Sequence, residues 1–89
     1  MKTIEKKTTI DGNQYWWWCP GCKTHHYFTD EWKFNGDYEK PFFQPSLRTR
    51  LCHVVIKDGI IHFFGDCKHK YAGLNIPMGP VNNDEPESM

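Results

Sequence analysis

The sequence has no net charge and no long hydrophobic run, and each absence argues against a class of protein. Its 89 residues include 11 basic and 11 acidic side chains, whereas a general nucleic-acid-binding protein usually carries clear positive charge. No apolar stretch approaches the ~20 residues that a membrane-spanning helix needs. The first ten residues, MKTIEKKTTI, have no apolar run after their charges, which argues against a signal peptide. We therefore expect a cytoplasmic protein with no membrane partner.

The sequence also lacks a helical repeat of hydrophobic residues, and turn signals take its place. Three dipeptides, Asp11-Gly12, Asn35-Gly36 and Asp58-Gly59, each lie between β-prone runs. Such dipeptides favour tight hairpin turns. They predict three hairpins, with arms at 3–10 and 14–18, 25–34 and 38–43, and 52–56 and 60–64. The fold class is therefore mostly β: a small antiparallel hairpin domain with little helix beyond a short turn near residues 66–73.

The length of the chain predicts one domain with a marginal core. A domain this small commonly needs a metal ion or disulfides to supplement its core. We expect a single metal-stabilised β domain over residues 1–76. After residue 76 the sequence is PMGPVNNDEPESM, and this composition predicts a flexible, acidic, proline-containing tail over 77–89.

The clearest motif is Cys-Pro-Gly-Cys at residues 19–22. Two thiols separated by two residues can point at one ion, while Pro20 fixes the turn and Gly21 permits a positive φ. In a cytosolic protein such thiols are more often metal ligands than disulfides. The motif therefore predicts half of a zinc-ribbon-like site.

The second half of the site lacks the usual spacing, because Cys52 and Cys67 are far apart in sequence. If Ile56 faces Ile61 across the third hairpin, both cysteines lie near its open end. Four thiolates form a closed tetrahedral site of the structural type. We therefore predict Zn²⁺ held by Cys19, Cys22, Cys52 and Cys67, with iron as the alternative metal.

Polar residues crowd the predicted site and leave alternatives open. His26, His53, Asp66 and His69 are either alternative ligands or groups that hydrogen-bond to the ligands. Because neighbouring strand residues point to opposite faces, Cys52 and His53 should not both reach one ion. The same four residues would serve a metal-dependent hydrolase or nuclease if the metal kept an open position.

Three consecutive tryptophans, Trp16, Trp17 and Trp18, precede the cysteine motif. On a strand two of these rings face one side and one faces the other, so at least one is exposed or covered by another segment. The simpler interpretation is packing in the core. The alternative is a binding surface, formed with Arg48 and Arg50, that contacts a protein or stacks on nucleobases.

Several segments together resemble a family of small proteins encoded largely by bacteriophages and prophages. They are WCPGCKTHHYF, WKFNGD, PFFQPSL, CHVVIKDGIIHFFGDCKHKYAG and LNIP, over roughly residues 15–77. The resemblance implies that the family's recurrent positions here are Cys19, Cys22, His26, Cys52, His53, Asp66, Cys67 and His69. Some members carry the label ammonia monooxygenase, which nothing in this sequence supports. The resemblance implies no particular activity for this chain.

These features favour a binding protein over an enzyme. We expect a small zinc-binding interaction module, phage-encoded, that binds or modulates a host or phage protein in the host cytoplasm. The alternatives are the metal-dependent hydrolase or nuclease and a nucleic-acid-binding zinc-ribbon-like protein. The oligomeric state is open, and dimerisation through an exposed strand edge is one option.

Overall fold

The computed structural model describes residues 2–81. Over these residues the chain forms two antiparallel sheets and no helix, which confirms the predicted fold class. None of the described residues forms a helix that is long and apolar enough to cross a membrane. The strands are β1 (Ile4–Thr9), β2 (Gly12–Cys19), β3 (Thr24–Thr29), β4 (Lys33–Phe34), β5 (Phe43–Arg48), β6 (His53–Lys57), β7 (Ile60–Phe63) and β8 (Asn75–Pro77).

The first sheet has the order β1-β2-β3. The first predicted hairpin is confirmed, with Thr9 opposite Gly12 across the turn. The three tryptophans alternate as expected for a strand: Trp17 is fully buried, whereas Trp16 and Trp18 are partly exposed. The first sheet thus contributes one tryptophan to the core and presents two on its outer face.

The second sheet has the order β4-β5-β6-β7-β8. Its central β6–β7 hairpin is the third predicted one, and Ile56 lies opposite Ile61 as expected. The turn places Asp58 at φ 53° and Gly59 at φ 77°. Between Phe43 and Leu47 the pairing of β5 with β6 shifts register. From Phe43 to Leu47 the chain advances four residues on β5 but only two on β6. Ser46 lies within this irregular stretch.

The second predicted hairpin is wrong in its pairing. Its first arm divides, because β3 pairs with β2 in the first sheet and only the two residues of β4 pair with β5. A turn closed by the Trp32 N–H donating to the Thr29 carbonyl separates the two strands. Phe28 explains the division, since its ring is fully buried and stacks on Phe43 at 4.1 Å between ring centroids. Residues 66–73 form successive turns in place of the expected helical turn.

The core lies between the two sheets. The largest fully buried side chains from the first sheet are Trp17 and Phe28, and those from the second are Phe43, Ile56 and Ile61. Burying such side chains stabilises the fold by about 1.5–3 kcal/mol each before entropy is subtracted. Because both sheets turn one face inward, the polar residues of β5 and β6 are left on the outer face, where they can form a site.

The first residues of the predicted tail pack against the domain. Pro77 ends β8, and Met78 and Val81 are buried. The Val81 N–H donates to the carbonyl of Lys2. The rest of the predicted tail, residues 82–89, lies outside the described residues. The boundary at residue 76 therefore stays a prediction.

Candidate functional site

A cluster of three thiols and one imidazole lies at one end of the β6–β7 hairpin. The ligand atoms of Cys19, Cys22, Cys52 and His69 all lie within 4.8 Å of one another. Cys19 and Cys22 come from the motif after β2, Cys52 directly precedes β6, and His69 lies in the turns after β7. The structure thus brings together three of the four predicted ligands and one of the predicted alternatives.

The spacing of the cluster fits a tetrahedral ion. A zinc ion with Zn–S bonds of about 2.3 Å holds its sulfurs about 3.8 Å apart. The Sγ atoms of Cys19 and Cys52 are 3.8 Å apart, and Cys52 Sγ lies 3.4 Å from His69 Nε2. Three cysteines and one histidine are a recognised structural zinc set. The cluster could therefore hold a metal ion with no open position.

The three thiols of the cluster differ in pKa, and therefore in how readily each forms a thiolate. The hydrogen bond from Cys52 lowers the pKa of Cys19 to about 4, against the opposing effect of burial. The same hydrogen bond, together with burial, raises the pKa of Cys52. Burial also raises the pKa of Cys22 to about 11. One thiolate is thus stabilised by the protein alone, and a bound cation would favour the thiolate form of the other two.

Gly21 is required for a different reason from the one predicted. Its φ is not positive; the nearby residue with a positive φ is Lys23, directly after the motif, at 56°. A Cβ added at Gly21 would instead overlap the ring of His69. The glycine therefore lets the cysteine motif approach the imidazole closely.

Cys67, predicted as a ligand, lies outside the four-residue cluster. Its Sγ accepts a hydrogen bond from the His53 N–H at 3.2 Å and donates to the His53 carbonyl at 3.3 Å. Its predicted role as a ligand stays a prediction. In this structure the thiol fixes the main chain of His53.

His26 packs its ring against Trp17, with centroids 5.3 Å apart. It also lies near Cys19. After the hydrogen bond from Cys52, which lowers the pKa of Cys19, and burial, which raises it, His26 lowers that pKa further. The buried His26 Nε2 has no hydrogen-bond partner among residues 2–81. His26 is thus a neighbour of the cluster and is not one of its four members.

A second polar group lies on the outer face of the second sheet. Ser46 Oγ is 3.1 Å from His53 Nε2, and His53 Nδ1 is 3.2 Å from an oxygen of Asp66. A hydroxyl, an imidazole and a carboxylate linked in this order form the triad used in nucleophilic acyl transfer. The hydroxyl can lose its proton to the imidazole as it attacks a carbonyl carbon.

The hydrogen bonds of the triad assign the histidine tautomer. The Asp66 carboxylate can only accept a hydrogen bond, so His53 Nδ1 carries the proton, which leaves Nε2 as the acceptor for the Ser46 hydroxyl. Arg48 Nη2 lies 3.3 Å from the other Asp66 oxygen. Although desolvation opposes the effect, the hydrogen bond and charge of His53, with the charge of Arg48, lower the pKa of Asp66. The carboxylate therefore stays ionised and orients the imidazole.

Packing also holds the imidazole in place. The His53 ring stacks on Phe64 with centroids 4.2 Å apart and an interplanar angle of 26°. Only 20% of its side chain is exposed. Phe64 thus holds the ring of His53, and the hydrogen bonds to Cys67 Sγ hold its backbone. Such support keeps a general base within reach of its nucleophile.

The thiol cluster and the triad meet at two consecutive residues. Cys52 belongs to the cluster and His53 to the triad. Because successive strand residues point to opposite faces, one side chain reaches the thiols while the next reaches the serine. The prediction that Cys52 and His53 would face apart agrees with this arrangement, although the partner of His53 was not foreseen.

Ser46 is the member of this hydrogen-bonded triad that the sequence did not reveal. It lies within the PFFQPSL segment, in the context Gln44-Pro45-Ser46-Leu47-Arg48, without the glycines that mark a nucleophile elbow. The usable signal was indirect. A histidine that faces away from the thiols, with an aspartate beyond the same hairpin, is a reason to look for a nucleophile on that face.

The predicted binding surface is divided by the structure. Trp17 is buried, and Trp16 and Trp18 lie on the outer face of the first sheet. Arg48 is 67% exposed at its side chain and pairs with Asp66. Arg50 is exposed and, with Cys22, lines a cavity of about 390 Å³. The five residues therefore do not form one continuous patch.

Comparison with known proteins gives one family and no individual relative. No curated protein and no solved structure matches the chain. A family model matches residues 2–64, well over half of the chain, and the matched part includes three of the clustered residues together with Ser46 and His53. The model is described as the serine protease of a bacterial ubiquitination-like system, BubE, and the chain belongs to this family.

Proposed function

We propose that this chain is a metal-stabilised serine protease of a bacterial ubiquitination-like system. The observation that carries the proposal is the hydrogen-bonded series from Ser46 through His53 to Asp66, at 3.1 and 3.2 Å. The family description supports the same reaction class. Ser46 is the nucleophile, His53 is the general base and acid, and Asp66 orients the imidazole.

The proposed reaction passes through an acyl-enzyme. Ser46 Oγ attacks the scissile carbonyl carbon while its proton moves to His53 Nε2. The C–N bond of the resulting tetrahedral intermediate breaks, and His53 gives that proton to the leaving amine. Water then attacks the Ser46 ester, again giving a proton to His53, which returns it to Ser46 Oγ as the acid product leaves. Asp66 stays ionised and stabilises the imidazolium.

The metal has a structural role in this proposal. Cys19, Cys22, Cys52 and His69 would hold zinc as a four-coordinate cross-link between the cysteine motif and the β6–β7 hairpin. Since four protein ligands fill the tetrahedron, the reacting carbonyl has no place on the ion. Zinc as the metal, a phage origin and a cytoplasmic location stay predictions.

Protein recognition, expected from the sequence, remains part of the proposal. The family description names a system of protein modification, which supports a protein substrate. The metal-centred hydrolase is less well supported, because its four polar residues are divided: His69 joins the thiols, whereas His53 and Asp66 join Ser46. A nucleic-acid surface is also less well supported, since Asp66 already neutralises Arg48.

The test is covalent labelling of Ser46. A fluorophosphonate probe, which reacts with activated serines, is added to the purified, zinc-loaded chain, and the labelled peptide is identified by mass spectrometry. We expect one modification, at Ser46, and its absence in Ser46→Ala and His53→Ala.

Ser88 supplies an internal control, because it is the other serine of the chain. Labelling of both serines at equal rates would indicate non-specific reaction. No labelling of Ser46 in a folded, metal-loaded sample would overturn the proposal and return the chain to the class of binding modules.

A further inference from the structure

A cleft of about 330 Å³ lies where the edge of the first sheet meets the second sheet, and it is lined by the residue that follows Ser46. It lies between β3 of the first sheet and β5 of the second. Two of its lining residues are histidines, His25 and His26, and the other six are Trp16, Tyr27, Thr29, Trp32, Leu47 and Thr49. None of the described residues that line it is aspartate, glutamate, lysine or arginine. The volume lies at the lower end of the range for ligand pockets and suits a single bulky side chain.

The cleft begins one residue from the proposed nucleophile. Leu47, which lines the cleft, directly follows Ser46 in β5. Trp32, on the opposite wall, donates its indole N–H to the Ser46 carbonyl at 3.3 Å. The same indole therefore lines the cleft and holds the main chain of the nucleophile. A group bound in the cleft would therefore lie beside the main chain of Ser46, from which an extended substrate, rising about 3.3 Å per residue, could continue to the hydroxyl.

Two strand edges border the cleft. β3 is the outer strand of its sheet. β4 pairs with β5 only at Phe43 and Gln44, so among residues 2–81 no strand covers that side of β5 after Gln44. Uncovered strand edges bind extended peptides through main-chain hydrogen bonds, while neighbouring pockets take alternate side chains.

We infer that this cleft binds the peptide substrate of Ser46 in an extended form, with one apolar side chain of the substrate inserted between Tyr27 and Trp32. An apolar side chain is favoured because aromatic rings and Leu47 form much of the lining, and such groups do not replace the hydration that a charge loses on burial. Tyr27 and Trp32 are thus specificity-determining residues. The inference rests on the proposed function and adds to it the substrate class: an unfolded segment or terminal tail with an apolar residue near the cleaved bond.

The experiment uses a library of short peptides with a fluorogenic leaving group, each position near the scissile bond being varied in turn. For the zinc-loaded chain we expect one position at which apolar side chains exceed glycine and charged side chains in kcat/KM by about tenfold or more. Tyr27→Ala should remove that preference by raising KM with little change in kcat. Tyr27 is 41% exposed, so this variant should still fold.

Leu74→Ala is the matched control, because Leu74 is similarly exposed, at 49%, and does not line the cleft. It should keep the preference of the unaltered chain. Trp32→Phe keeps an aromatic wall and removes the hydrogen bond to Ser46, so it should lower kcat and retain the apolar preference.

A measurement of peptide binding tests this inference independently of the proposed function. The Ser46→Ala variant is titrated with the preferred peptide, and the change in total tryptophan fluorescence, to which Trp16 and Trp32 in the cleft contribute, reports occupancy. We expect saturable binding that adding Tyr27→Ala weakens about tenfold. If Ser46 is labelled by the fluorophosphonate but Tyr27→Ala changes neither selectivity nor binding, the cleft proposal fails and the protease proposal stands. A preference for charged side chains, or no peptide binding to Ser46→Ala, would also overturn it.

Discussion

At the scale of single residues, the triad depends on a carboxylate that is itself exposed. The side chain of Asp66 is 48% exposed, yet the hydrogen bond and charge of His53, with the charge of Arg48, keep its pKa low. Its contribution is orientation, since it selects the tautomer in which His53 Nε2 faces Ser46. Asp66 should therefore matter much more for the rate than for stability.

Asp66→Asn tests this difference between rate and stability. The amide keeps the shape of the side chain but no longer favours Nδ1–H, so kcat should fall by on the order of 10⁴. The free energy of unfolding should change by no more than about 0.5 kcal/mol, as for ordinary surface positions. Peptide hydrolysis and thermal unfolding measure the two effects, and Asp11→Asn in an exposed turn is the control. An unchanged kcat would remove Asp66 from the proposed mechanism.

At the scale of elements, the β6–β7 hairpin positions both functional groups. Cys52 and His53 stand at the start of one arm, and Asp66 follows the end of the other. Its turn requires Gly59, which has φ 77° and whose added Cβ would lie 3.2 Å from the Cα of Lys40. Strain at this turn should therefore weaken the whole hairpin.

Gly59→Ala should destabilise the domain by about 1–2 kcal/mol from the left-handed conformation alone. In a domain of this size each kcal/mol lowers Tm by roughly 4–8 °C. Gly36→Ala is the comparison, because Gly36 also has a positive φ, 86°, but an added Cβ there would meet nothing. Thermal unfolding should show the larger loss for Gly59→Ala. Equal losses would mean that the close approach to Lys40 contributes nothing.

The strands also show which pairings could be predicted from the sequence and which could not. The register of Ile56 with Ile61 followed from the Asp58-Gly59 turn, because a short turn fixes which residues face each other. The pairing of β3 did not follow, since the sheet that a strand joins depends on the core position of Phe28. A local pattern contains no such information.

The sites show the same limit. Cys19, Cys22 and Cys52 could be grouped from their spacing and the predicted hairpin, whereas the fourth member, His69, comes from a run of turns. Ser46 lies at the register shift of β5, where the side-chain alternation of a regular strand no longer indicates which face a residue occupies. Its partnership with His53 is therefore visible only in three dimensions.

At the scale of the whole molecule, the thiol cluster joins segments that are far apart in the chain. It links the cysteine motif of the first sheet to the segments that precede and follow the central hairpin of the second. Because the core is small, metal-binding free energy should form a large part of the folding free energy. The metal should then be needed for folding and have no part in the reaction.

Exchange and removal of the metal separate these two roles. Cobalt accepts the same nitrogen and sulfur ligands, and replacing zinc with it should leave the rate of Ser46 labelling unchanged. Chelation should unfold the chain, seen as loss of the β signal in circular dichroism, to the same extent in Ser46→Ala. A labelling rate that changes with the metal would instead place the ion in the reaction. A chain that stays folded without metal would contradict the structural role.

The adjacency of Cys52 and His53 has a consequence for how such a protein can change over time. A shift of one residue in β6 would exchange the faces of the two side chains and disrupt the thiol cluster and the proposed triad together. Asp66 is similarly tied to Cys67, whose thiol holds the backbone of His53. Ser46, in contrast, is not adjacent in sequence to a residue of the thiol cluster or to Cys67. Its replacement would therefore remove the proposed nucleophile without disturbing the thiols, and is the simplest change that would give a pseudoenzyme. Relatives that keep the thiols but replace this serine should retain the fold and bind peptides without cutting them.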